Sequence, residues 1–230
     1  MKLFCFTFAG GTAAFFNKIS EEINGIECVK VEYAGHGDRR KEPFYHSFDE
    51  LTADMYRIVA SSLNGDEEYA LFGYSMGTIA VIEVLQKVIH DGKIKAPKHI
   101  FLAAHEPHSK AELVDYTEEE LDEYVKERTI RFGGVPEKLI NNKSFWRVYL
   151  PIYRADYSII AKYLFEDIAF TADIPFTVFY SETDTPFDDM KLWQKYFKGN
   201  GEYHLFEGNH FFINEHYKDM ARIIEKRIAE

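Results

Sequence analysis

The chain has 230 residues, of which 46% are hydrophobic and 28% charged, with a formal net charge of −11. That length suits one α/β domain with a sizeable core, and the composition excludes wholesale disorder and collagen-like repeats. The acidic balance excludes nucleic acid, whose phosphates require clustered Lys and Arg, and no apolar run approaches the roughly 18 residues of a membrane-spanning helix.

Residues 3–8 form an apolar run of strand length. It lacks the longer apolar core of a secretory signal, so a cytoplasmic protein without a membrane partner is the default. A helix is expected over 13–23 and a second strand over 26–33. Ser47-Phe48-Asp49-Glu50 reads as a capping box that opens a helix through residue 62, with Leu51, Met55, Ile58 and Val59 at helical spacing. A strand over 69–74, a helix over 76–90 and a strand over 99–104 follow. Strands then resume over 175–180 and 202–206, with helices over 188–197 and 213–228. Strands that alternate with helices imply right-handed crossovers and a mostly parallel, doubly wound sheet.

Residues 105–173 break this alternation. They hold a second capping box, Thr117-Glu118-Glu119-Glu120, a helix-period segment over 121–132, the breaker Gly133-Gly134-Val135-Pro136, and a helical stretch over 143–165. About 65 residues of helix are too many for a simple crossover. The expected organisation is a single domain, with 1–104 and 174–230 as the core and 105–173 as a helical lid insertion. The insertion is rich in aromatics: Phe132, Phe145, Trp146, Tyr149, Tyr153, Tyr157, Tyr163 and Phe165. Cys5 and Cys28 are too few for a disulfide scaffold and lack metal-ligand spacing, so they read as buried thiols and no metal is expected.

Gly73-Tyr74-Ser75-Met76-Gly77 matches Gly-x-Ser-x-Gly between a strand and a helix, the context a nucleophile elbow requires. Ser75 then stands at a helix N-terminus, where amides favour developing negative charge. A serine hydroxyl needs a base. Of nine histidines, His210 is best placed, between the last strand and the last helix. His204 and His216 read as structural, His36 stands near a glycine-rich turn, and His90 and His99 occupy element ends. The acid is expected in the loop Ser181-Glu182-Thr183-Asp184-Thr185-Pro186, where Asp184 is preferred and Asp188 is read as a helix cap. Glu106, after the strand over 99–104, is the alternative. Oxyanion donors are expected from the backbone N–H of Met76 and of Ala9, with Gly10 next in line.

Further motifs join these: Phe8-Ala9-Gly10-Gly11-Thr12-Ala13, Ala34-Gly35-His36-Gly37-Asp38-Arg39 with Glu42-Pro43, Arg154-Ala155-Asp156-Tyr157, Trp193, and Gly208-Asn209-His210-Phe211-Phe212. Together they resemble the type II, external editing thioesterases that accompany non-ribosomal peptide and polyketide synthases. The sequence departs from that family at Thr7-Phe8, where Pro-Tyr is usual, and at Tyr74, where His is usual. The resemblance implies an α/β-hydrolase fold and hydrolysis of acyl groups from the phosphopantetheine arm of acyl or peptidyl carrier domains. No cofactor of the enzyme's own is implied, because the substrate carries the phosphopantetheine. Gly10, Tyr74 and Phe211 are the expected substrate contacts. Arg39-Arg40-Lys41, or Lys138, Lys143 and Arg147 on the lid, would offer an acidic carrier a basic patch. The alternatives are a general esterase or acyl-CoA thioesterase on free substrates, and an inactive binding module of the same fold.

Overall fold

β1 (Lys2–Phe6), β2 (Glu27–Val31), β3 (Tyr69–Tyr74), β4 (His99–Ala103), β5 (Phe176–Tyr180) and β6 (Glu202–Leu205) form one sheet in a computed structural model that describes residues 1–107, 117–163 and 170–230. Every pairing is parallel, in the order β2-β1-β3-β4-β5-β6. The four inner strands are buried along their whole length, as an apolar run covered on both faces must be, while β2 and β6 at the edges are partly exposed.

The two-residue pleat divides the core. Phe4, Phe6 and Leu71 pack on one face, beneath α2 (Phe48–Ser62) and α3 (Met76–Asp91). Leu3, Cys5, Phe72 and Tyr74 pack on the other, against α1 (Asn17–Glu22) and the carboxy-terminal helix. Each fully buried Phe or Leu contributes about 1.5–3 kcal/mol. The chain leaves β1 to one side for β2 and returns on the other side to β3. That reversal opens a crevice at the carboxyl ends of β1 and β3, where open α/β sheets bind ligands.

Several boundaries differ from the sequence reading. β1 ends at Phe6, and Thr7 turns off the sheet with its carbonyl accepting from the Tyr33 hydroxyl at 2.9 Å. The helix expected over 13–23 is a 3₁₀ turn, Ala13–Phe16, followed by α1. Ser47 caps α2 by accepting from the Glu50 amide at 3.2 Å, but Glu50 reaches back to the His46 amide, one residue earlier than in a capping box.

Among the described residues between β4 and β5 there are helices and no strand. They are α4 (Glu118–Arg131), with the expected Thr117 capping box, the short α5 (Glu137–Ile140) and α6 (Lys143–Ile160). Val125, Leu150 and Tyr153 form a small separate core there. Arg154 binds α6 to α4 through a bidentate pair with Asp122, at 2.6 and 2.8 Å, and through Glu118. Phe165 lies outside the described residues. After β5 the expected helix over 188–197 splits into α7 (Phe187–Met190) and a 3₁₀ turn, Lys191–Tyr196, before α8 (Ile213–Ala229) closes the chain. Pro186 rather than Asp188 precedes α7, and Asp188 pairs with Lys191 at 2.6 Å.

Candidate active site

Ser75 adopts φ 55° and ψ −119°, a conformation that costs a non-glycine residue about 1–3 kcal/mol. The surroundings enforce it. Its amide donates to the Ala103 carbonyl at 2.8 Å, and its carbonyl accepts from the Thr78 amide at 2.8 Å. The buried Thr78 hydroxyl lies 3.0 Å from the Gly73 carbonyl and 2.9 Å from that of Ala103. The two flanking glycines are dictated by close approach. A Cβ on Gly73 would lie 2.2 Å from the Gly77 oxygen, and one on Gly77 would lie 1.9 Å from the Phe6 oxygen. α3 therefore sits backbone against backbone on β1.

His210 Nε2 is 2.9 Å from Ser75 Oγ, and Nδ1 is 2.8 Å from Asp184 Oδ1. A carboxylate oxygen accepts only, so the Asp184 contact requires the proton on Nδ1 and leaves the Nε2 lone pair facing the serine hydroxyl. The loops bearing acid and base are tied together. The hydroxyls of Ser181 and Thr183 each donate to the Gly208 carbonyl at 2.5 Å. Glu106 lines the outer cavity, but the Nδ1 position it would need is taken by Asp184.

The lid covers the imidazole. Phe132, at the end of α4, stacks on the His210 ring with centroids 4.4 Å apart and planes 19° apart, and the Arg128 guanidinium lies 4.9 Å from the Phe132 centroid. Phe211 meets the His210 ring edge-on at 5.2 Å. The turn that follows α4 packs on the histidine loop, since a Cβ on Gly134 would stand 3.2 Å from the Phe211 ring. His210 is only 7% exposed. Between lid and sheet lies a cavity of about 410 Å³ whose wall includes Ala9, Ser75, Ala104, Phe132 and His210.

Among the described residues, the Ala9 and Met76 amides donate to no protein acceptor, whereas the Gly10 amide is bound to Asp156 Oδ2 at 2.6 Å. Gly10 is thus excluded as an oxyanion donor. A Cβ there would also lie 1.9 Å from the Tyr153 ring, so the expected substrate contact at Gly10 is replaced by contact with α6. Tyr74 is corrected as well. It is fully buried, and its hydroxyl donates to the His210 carbonyl at 2.7 Å, so it supports the histidine loop rather than touching substrate. Phe211 lines a second, much smaller cavity beside Ala9, Ser75 and Tyr153.

The other histidines have separate partners. His204 faces Glu202 at 3.4 Å, His216 faces the Glu207 carbonyl at 2.9 Å, and His99 faces the Thr177 hydroxyl at 2.9 Å. Burial lowers the His99 pKa to about 4. His36 does more than border a turn. It forms a buried pair with Asp156 at 2.9 Å. The stacking of Phe132 and the role of Asp156 were missed in the sequence. Asp156 falls three residues after Tyr153, on the inward face of α6 with Leu150, and that spacing was the available signal. Among the described residues no group of three or more His, Cys, Asp or Glu side chains is arranged to hold a metal, and no helix is long and apolar enough to cross a membrane.

The thioesterase domain family matches residues 1–228. The chain is 31% identical to the medium-chain S-acyl fatty acid synthase thioesterase of Rattus norvegicus over 238 residues, covering 100% of this chain and 87% of the relative. It is 25% identical to thioesterase PikA5 of Streptomyces venezuelae, covering 99% and 81%. Among solved structures it superposes on ClbQ of the colibactin non-ribosomal peptide and polyketide synthase pathway with a TM-score of 0.86 at 25% identity, covering 99% and 96%. It also superposes on RedJ of the prodiginine pathway of Streptomyces coelicolor with a TM-score of 0.84 at 24% identity, covering 98% and 85%. With the match running over nearly its whole length, the chain belongs to the thioesterase domain family and is a thioester hydrolase of the serine hydrolase class on an α/β-hydrolase fold.

Proposed function

We propose that the protein hydrolyses acyl groups from the phosphopantetheine arm of acyl or peptidyl carrier domains, clearing stalled chains from non-ribosomal peptide or polyketide synthases. The observation that carries this reading is the continuous hydrogen-bonded series Asp184–His210–Ser75 beneath an aromatic lid. ClbQ, named for a non-ribosomal peptide and polyketide synthase pathway, supports the choice of carrier.

In the first half-reaction His210 Nε2 takes the Ser75 proton as Oγ attacks the thioester carbonyl. Asp184 holds the ring in this tautomer and stabilises the imidazolium. The amides of Ala9 and Met76 receive the oxyanion, a contribution of about 3–4 kcal/mol for each donor. His210 then protonates the departing thiolate, the carrier arm leaves, and the acyl group remains on Ser75. In the second half-reaction the same nitrogen deprotonates a water, which releases the acid and restores the serine. The enzyme needs no cofactor for this, since the phosphopantetheine belongs to the substrate.

Carrier domains are acidic, and so is this chain, so local charge must guide docking. Arg39 is engaged by Glu42 and Asp54 at 2.5 and 2.6 Å. Lys138, Lys143 and Arg147 are exposed on the lid, beside the exposed Val148 and Tyr149, and suit the task better.

A panel of acyl-loaded carrier proteins, acyl-CoAs and p-nitrophenyl esters tests the reading. Carrier-bound substrates should be hydrolysed more than tenfold faster, as kcat/KM, than the free ones. Equal rates would make the protein a general esterase or acyl-CoA thioesterase, and unchanged hydrolysis by Ser75→Ala would remove the serine mechanism altogether. The 31% identity to a fatty acid synthase thioesterase favours, as a second reading, release of medium-length chains from a fatty acid synthase carrier. The acyl-length arm of the same panel separates the two.

A further inference from the structure

A buried ion pair links the lid to the loop after β2, and the same carboxylate reaches the loop after β1. Asp156 and His36 have side chains 3% and 1% exposed, and neither belongs to the Ser75–His210–Asp184 series. His36 Nδ1 lies 3.0 Å from the Ala34 carbonyl and Nε2 lies 2.9 Å from Asp156 Oδ2. Both partners are oxygen acceptors, so the ring carries a proton on each nitrogen and a positive charge. A buried pair of this kind is weak as a source of stability, because desolvating two charges offsets most of their attraction. Its geometry suggests a different use. The oxygen that meets His36 also accepts the Gly10 amide, at 2.6 Å.

Residues 8–11 form a tight turn closed by the Gly11 amide on the Phe8 carbonyl at 3.0 Å, with Gly10 at φ +77°. A positive φ at the third residue marks the type II form, in which the central peptide is flipped relative to type I. The amide of that central peptide, Ala9–Gly10, is the one Asp156 holds. We propose that Asp156 is a positioning residue: from the lid helix, with His36 balancing its charge, it locks the Ala9–Gly10 peptide and so sets the loop that presents the Ala9 N–H to the oxyanion. The lid and the oxyanion site are then one mechanical unit, and the hole is complete only while α6 is seated. This rests on the proposed serine mechanism, with Ala9 as a donor.

The experiment compares Asp156→Ala, Asp156→Asn and the double variant His36→Leu/Asp156→Leu with the native enzyme. All are normalised by fluorophosphonate titration of Ser75, with Ser75→Ala as the reference for the mechanism itself. Readouts are kcat and KM on an acyl-carrier substrate, the Ki of an acyl trifluoromethyl ketone, and the Kd of a non-hydrolysable thioether analogue. The ketone adds Ser75 and develops an oxyanion; the thioether does not. Asp156→Ala should lose about 100-fold in kcat and a similar factor in ketone affinity, with KM and thioether Kd within threefold. Asp156→Asn keeps an acceptor oxygen for the Gly10 amide and should stay within tenfold of native. The double variant replaces the pair by apolar side chains and should fold stably yet keep the 100-fold defect, which preserves the test if Asp156→Ala does not fold.

The proposal is overturned if the double variant regains native kcat, or if kcat and thioether affinity fall together. It is also overturned if Asp156→Ala is folded and unimpaired. Full activity in Ser75→Ala would instead defeat the underlying mechanism, a separate failure.

Discussion

The sheet and the lid are held by different forces. Around Ser75 the contacts are backbone on backbone: Gly77 against the Phe6 carbonyl, Gly73 against Gly77, and inner strands buried from end to end. Among the described residues the lid's own small core is Val125, Leu150 and Tyr153; Ile159 and Tyr163 join the main core, and polar groups add the remaining ties, Arg154 to Asp122 and Asp156 to His36 and Gly10. A close-packed interior tolerates little displacement, whereas a charged tether is sensitive to its partners and to pH. Ser75 is therefore fixed by steric fit, and in the proposed mechanism the environment of the developing charge is adjusted from the lid.

Substitutions at the rim of the sheet should have the largest effects. Ser75→Ala should lower kcat/KM on the order of 10⁵–10⁶-fold while circular dichroism and Tm remain native. Asp184→Asn should cost about 10⁴-fold in kcat, because the amide allows the wrong imidazole tautomer, and stopped-flow acylation rates would show it. Gly77→Ala should destabilise the fold by about 3 kcal/mol in urea unfolding, since its methyl meets a main-chain carbonyl that has no room to move. If it were tolerated, the sheet would be no more rigid than the lid.

Lid substitutions should be milder. Phe132→Ala removes a ring stacked on His210 and should lower kcat about fivefold with little change in Tm, read from parallel kinetics and thermal melts. The smallest effect concerns pH. Burial opposes charge on His36, but the Asp156 carboxylate, the Ala34 carbonyl and Glu32 outweigh it, so the His36 pKa is raised. Its contribution to stability is present below the ordinary histidine value of about 6.5 and fades as pH climbs through the raised value. Urea midpoints across that range should therefore fall more steeply for the native protein than for His36→Leu/Asp156→Leu.

The sheet was legible because its signals are local. Apolar runs mark the strands, and the glycine spacing marks the elbow. The positions of Asp184 and His210 after successive strands then follow from the chain order of this fold. The inward place of Tyr74 is also encoded locally: the two-residue pleat aligns it with Phe72 and Ala70, toward α1 and α8 and away from the lid. The lid was less legible. A carboxylate on a helix reads as solvated until the chain that folds beneath it is known, and both partners of Asp156 lie more than 100 residues away. Splitting of the helix after Asp184 likewise escaped a reading based on spacing, since α7 and the 3₁₀ turn after it continue the same buried stripe through Met190 and Trp193.

The central claim, that the acyl group passes through the Ser75 hydroxyl, is tested most directly by rapid-quench mass spectrometry of a single turnover with an isotopically labelled acyl-carrier substrate. The account predicts that the label appears transiently on the peptide containing Ser75, before the free acid forms, and that it is absent in Ser75→Ala. Release of labelled acid at native rate without any labelled Ser75 peptide would contradict it.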